Sequence, residues 1–101
     1  ICQLLTVKFM NTFLIYFYYE VIFMTLISAT STRILELCAE RKITVNKLST
    51  ICGITQSTLE GIVNQKFVNP KTLTIIRICR GLEIKLKDFY DSPLFDEIDD
   101  D

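Results

Sequence analysis

Histidine is absent from the 101-residue chain, which excludes any catalysis or metal ligation that depends on an imidazole. The four cysteines, Cys2, Cys38, Cys52 and Cys79, include no CxxC pair and follow no pairing pattern, so neither a zinc site nor a disulfide framework has support. Three of them fall where a helix wants an apolar side chain and read as reduced core thiols of a cytosolic protein. No catalytic constellation, metal set or cofactor motif is present. The expectation is therefore a binding protein without cofactor and without enzymatic activity. Internal repeats and low-complexity tracts are missing as well, and the length allows one small domain with extensions but not two ordinary cores.

Charge is scarce at one end and one-sided at the other. Residues 1–27 contain a single Lys and a single Glu among many Phe, Tyr, Ile and Leu. Residues 31–90 carry ten Lys or Arg against five Asp or Glu, whereas residues 91–101 hold six acids and no base. The net charge of -1 thus conceals a basic middle of +5. Three segments follow: a hydrophobic leader over 1–30, a mixed domain over 31–90 and an acidic tail over 91–101.

The leader stretch 9–27 has about the length of a membrane-spanning helix, roughly 20 residues. Against a span, Glu20 lies inside the run, where a carboxylate costs about 2.5 to 3.5 kcal/mol on insertion scales. A signal peptide fits worse, for lack of a basic start beyond Lys8 and of a small-residue cleavage site. Three readings stay open: a membrane anchor, an added hydrophobic packing helix, or translated upstream sequence with Met24 as the true start.

From Ser31 to Tyr90 the apolar residues recur at three and four, the period of helices. Ser31 or Thr32 is expected to cap a first helix with Ile34, Leu37 and Cys38 inward. Thr44 should cap a second, Val45 to Cys52, that buries Leu48, Ile51 and Cys52 and ends at Gly53. Ile54 should plug the angle that follows. Thr55 then caps a third helix from Gln56 to about Gln65, with Leu59, Ile62 and Val63 inward and Gln56, Ser57, Glu60, Gly61 and Asn64 outside. Pro70 is expected to open a fourth helix to Arg80 that buries Leu73, Ile76 and Cys79 and is stopped by Gly81. A last helix near Leu86 to Tyr90 should close the core with Leu86, Phe89 and Tyr90. Two short helices around a tight glycine turn, within a bundle of about five, make a helix-turn-helix. The fold class expected is all-α, with an extra hydrophobic N-terminal segment.

The words ITVNKLSTICGITQSTLEGIVNQKFVNPKTLTIIRICRGLEIKLKDFY resemble the Cro and phage-repressor type of helix-turn-helix, the bacterial family called XRE-like, with a lambda-repressor-like fold. The resemblance covers residues 33–90 and lies in the combined register of Leu48, Ser49, Gly53, Ile54, Thr55, Leu59, Asn64, Pro70, Leu73 and Leu82. It departs at Val45, Gly61 and Lys85. It implies that Gln56, Ser57 and Glu60 read bases, with Thr55, Asn64 and Lys66 near phosphates. Lys47, with Lys71, Arg77 and Arg80, joins the backbone set through the basic excess of the domain.

The function expected is sequence-specific binding of double-stranded DNA by a cytoplasmic transcriptional regulator, in most cases a repressor that occupies its operator, acting as a homodimer because one such domain covers only a half-site. Two alternatives stay open. One is an antitoxin whose acidic tail contacts a protein partner through Leu94, Phe95 and Ile98. The other is a small membrane-anchored interaction protein.

Overall fold

The computed structural model describes residues 24–67 and 69–99, and the readings placed on residues 1–23 lie outside them. Among the described residues five α-helices succeed one another: α1 (Leu26–Arg41), α2 (Val45–Cys52), α3 (Gln56–Val63), α4 (Thr72–Leu82) and α5 (Leu86–Tyr90). A 3-10 turn at Pro93–Phe95 follows. One addition to an all-helical bundle was not foreseen: two-residue strands β1 (Met24–Thr25) and β2 (Ile98–Asp99) pair in parallel and join the two ends of the domain.

Helix α1 starts earlier than expected. Its N-cap is Thr25, whose hydroxyl accepts from the Ser28 N–H at 3.3 Å, and the anticipated caps Ser31 and Thr32 lie inside the helix. Thr30 and Ser31 are buried there because each hydroxyl finds a carbonyl: Thr30 Oγ1 donates to Leu26 O at 2.7 Å and Ser31 Oγ to Val63 O at 2.6 Å. A polar residue so satisfied no longer opposes the helix interior. The helix ends on Lys42, which takes the left-handed conformation (φ 55°) without being glycine.

Leu48, Leu59, Ile62, Ile75, Ile78, Leu82 and Phe89, with Ile34 and Leu37 of α1, form one buried cluster. Val45 packs against its edge, which gives a packing reason for an apolar residue at that departure from the family pattern. Several expected core positions are corrected. Ile51 is 42 % exposed, Leu73 is 54 % exposed, and Ile76 is only half-buried and outside the core cluster, while Thr74, Ile75, Ile78, Cys79 and Leu82 supply the buried face of α4.

Gly81 does not stop α4. The helix runs through it to Leu82 and ends on Glu83 at φ 58°. Gly81 instead faces Cys52, where α2 and α4 come together. The start is corrected too: the helix opens at Thr72, with Lys71 as its N-cap, and not at Pro70. Leu86 and Tyr90 remain partly exposed, so Phe89 alone of the three is a fully buried lid. Every buried side-chain polar atom among the described residues has a hydrogen-bond partner.

Candidate nucleic-acid interface

Thr44 and Thr55 each do the same work at the head of a short helix. Thr44 Oγ1 accepts from the Lys47 N–H at 3.0 Å, and Thr55 Oγ1 accepts from the Thr58 N–H at 3.3 Å. Each satisfies one of the donors that a helix start leaves orphaned. Between the two helices Gly53 adopts φ +65°, a conformation glycine takes at little cost. The Ile54 N–H then returns to Ser49 O at 3.0 Å and buries the Ile54 side chain in the angle. The turn therefore fixes α3 against α2 by hydrogen bonds and by an apolar plug.

Helix α3 is held from below by Leu59 and Ile62, both buried, and at its far end by α1 through the Ser31–Val63 bond and by Ser28 Oγ donating to Gln65 Oε1 at 2.9 Å. Gln56, Ser57, Glu60 and Asn64 are all exposed, as the helical period required. Gln56 Nε2 donates to Glu60 Oε1 at 3.0 Å. Thr55 uses both sides of its hydroxyl on Thr58, accepting from the backbone and donating to Thr58 Oγ1 at 2.7 Å. The helix ends at Val63, two residues short of the expected end near Gln65, with Asn64 as its C-cap. Gln65 follows at φ 59°, and Lys66 anchors its own N–H to Gly61 O at 2.8 Å while its ammonium stays exposed. Lys47 is exposed in the first turn of α2.

Gly61 is corrected: it is buried rather than outward, because the Phe67 ring lies over its α-carbon, with Phe67 Cζ 2.7 Å from where a β-carbon would sit. Phe67 lies outside any periodic segment, so nothing in the sequence signals that it covers Gly61. Its ring is 45 % exposed and borders a groove of about 390 Å³ with Thr58, Ile62, Pro70, Leu73 and Arg77.

Two sets stand apart among the cations, a distinction that a count of charges cannot make. Arg33 donates to Phe89 O at 2.8 Å and Asp88 O at 2.9 Å and pairs with Glu36 at 3.3 Å, and Arg41 donates to Leu82 O at 2.6 Å. These two arginines hold helix ends. Arg33–Glu36 is the single ion pair among the described residues, so Lys47, Lys66, Lys71, Arg77 and Arg80 are exposed cations without an acidic partner there.

An exposed polar helix behind a glycine turn, beside unpaired cations, has the shape and charge to enter a major groove. A family model for the Cro/C1-type HTH DNA-binding domain matches residues 33–93. The chain belongs to this Cro/C1-type helix-turn-helix family. The family carries DNA binding and transcription regulation, and within the matched span α2, Gly53 and α3 form a helix, a tight turn and a helix. No curated protein and no solved structure gives a significant match to the chain. Among the described residues of this Cro/C1-type domain, no cluster of Cys, Asp or Glu could hold a metal ion, and no helix is long and apolar enough to cross a membrane.

Proposed function

We propose that the protein is a cytoplasmic, sequence-specific regulator that binds an operator as a homodimer and represses transcription by occupying it. The observation that carries this reading is the outer face of α3: Gln56, Ser57, Glu60 and Asn64 stand exposed on a helix whose opposite face is buried through Leu59 and Ile62. Gln56, Ser57 and Glu60 face base edges in the major groove. Thr55, Asn64, Lys66 and Lys47 lie toward the phosphates, with the Thr55 hydroxyl already committed to Thr58 and its backbone left for that contact. A single domain spans a half-site, and two copies placed one helical turn of DNA apart, about 34 to 36 Å, read an operator of useful length.

Reading and holding are separable by experiment. Gln56→Ala removes a contact to a base edge, so it relaxes preference at one or two base pairs and leaves binding to scrambled duplex nearly unchanged. Lys66→Ala removes a phosphate contact, so it weakens all sequences alike and lowers the slope of log affinity against log salt by about one unit. Titrations of selected and scrambled duplexes at several salt concentrations measure both. An unchanged base preference in Gln56→Ala refutes α3 as the reading helix.

A further inference from the structure

The outer face of α3 carries one acid, Glu60, and that acid already has an occupation: it accepts from Gln56 Nε2 at 3.0 Å, one helical turn away. Only the nitrogen of an amide can face a carboxylate, because the amide oxygen has no proton to give. The contact therefore sets the polarity of the Gln56 side chain. One of its two Nε2 protons is taken by Glu60 and the nitrogen is turned along the helix toward it, so a single N–H remains while Oε1 is left wholly free as an acceptor. Glu60 has no cationic partner among the described residues, so it presents acceptors alone.

We propose that Glu60 is a specificity-determining positioning residue: by holding the Gln56 amide in one orientation it makes α3 a reader of exocyclic amino groups, adenine N6 and cytosine N4, and rejects guanine at the same place. The inference rests on α3 being the helix that enters the major groove. There, adenine and cytosine offer an amino donor, guanine offers N7 and O6 acceptors, and thymine offers O4 and a methyl group. A glutamine left to itself can turn either end to a base and so accept any of these edges. Pinned by Glu60, it offers its acceptor first, and a guanine brought to the pair meets a carboxylate with two acceptors of its own.

An exposed pair at this spacing holds weakly in water. Displacing that water on docking lowers the local dielectric and strengthens both the hydrogen bond and the rejection of the wrong base. The same carboxylate repels phosphates whatever the sequence, so Glu60 lowers general affinity and contributes selection.

The test uses the full chain and begins with selection of bound duplexes from a random pool, which defines the preferred site. Competition titrations then place each of the four bases at the position that Gln56→Ala relaxes, for the unsubstituted protein, Glu60→Ala and Glu60→Gln. The expected result is a preference for adenine or cytosine over guanine of about tenfold, falling to about threefold or less in Glu60→Ala.

Glu60→Ala should also bind scrambled duplex more tightly than the unsubstituted protein. Glu60→Gln keeps an acceptor for Gln56 without the charge, so it should match Glu60→Ala on scrambled duplex while retaining more of the base preference. Both residues are exposed, and thermal melts check that the variants fold alike. A guanine at the selected position, a preference in Glu60→Ala equal to the original, or equal loss of preference in the two Glu60 variants each overturns the positioning role alone. A chain that binds no duplex, or whose preferences are all indifferent to Gln56→Ala, overturns the reading of α3 and this inference with it.

Discussion

A methyl group added at Gly81 would collide with Cys52 Sγ and come within 3.1 Å of Cys52 Cα, which belongs to the backbone of the neighbouring helix. Alanine is the better helix former by about 1 kcal/mol, yet here the local gain is outweighed by the separation it forces between α2 and α4. We expect Gly81→Ala to destabilise the domain by about 1 to 3 kcal/mol in urea unfolding, the usual cost of an overpacked core. A neutral or stabilised variant would show that the two helices can slide apart freely. At Gly61 the obstacle is only the edge of the half-exposed Phe67 ring, which can swing away, and at Gly53 there is open space but a left-handed backbone. Three glycines thus answer to three causes, and only that at Gly53 could be read from the sequence, since a packing glycine and a terminal one look the same in a string of letters. Cys52 itself is half-buried. Burial, with the Cys38 and Cys79 thiols as further causes, pushes its pKa up to about 11, so at neutral pH it is a protonated packing group and a slow nucleophile.

Among the helices, α2, α3 and α5 were legible because each has a sharp signal at its start or stop: Thr44, Thr55 and Gly53 around the turn, and the compact apolar group of α5. Helix α4 was not. Its apolar residues, Leu73, Ile75, Ile76, Ile78, Cys79 and Leu82, lie on two adjacent stripes, and the choice between them is made by the approach of α2 at Gly81, which no local pattern records. Helix α1 extends further back than the sequence suggests because Ser31 and Thr32 have the chemistry of caps, and only tertiary structure shows the Ser31 hydroxyl occupied, by the Val63 carbonyl. Within the candidate site the exposure of Gln56, Ser57, Glu60 and Asn64 followed from periodicity, whereas the link from α1 to the end of α3 could not. That link predicts a measurable effect. Ser31→Ala leaves the Val63 carbonyl without its 2.6 Å donor and should cost about 1 kcal/mol in chemical denaturation. The amides of the last turn of α3 should then exchange faster than those of α2, and equal exchange in both helices would show that α1 does not brace the reading helix.

At the scale of the whole molecule, the acidic tail begins inside the fold. Phe95 packs on the core, with its ring 4.9 Å from Tyr90 and 6.1 Å from Phe89 in centroid separation, and Ser92 Oγ accepts from the Leu94 N–H to hold the turn. Phe95→Ala should therefore lower stability by about 2 kcal/mol, less than a fully buried phenylalanine because part of the ring is already wet. An unchanged melting temperature would make the tail a mere appendage. Beyond Phe95 lies the pairing of Met24–Thr25 with Ile98–Asp99. This contact has a consequence for the order of events in folding. It closes a loop that contains the entire helical domain, at an entropic cost that grows with the logarithm of loop length, and only two residues on each side repay it. So short a pairing has no stability of its own and borrows it from the packed helices beneath. The clasp accordingly closes after the bundle has assembled and is the first part to let go, so the domain breathes at its joined ends while the helix-turn-helix stays shut.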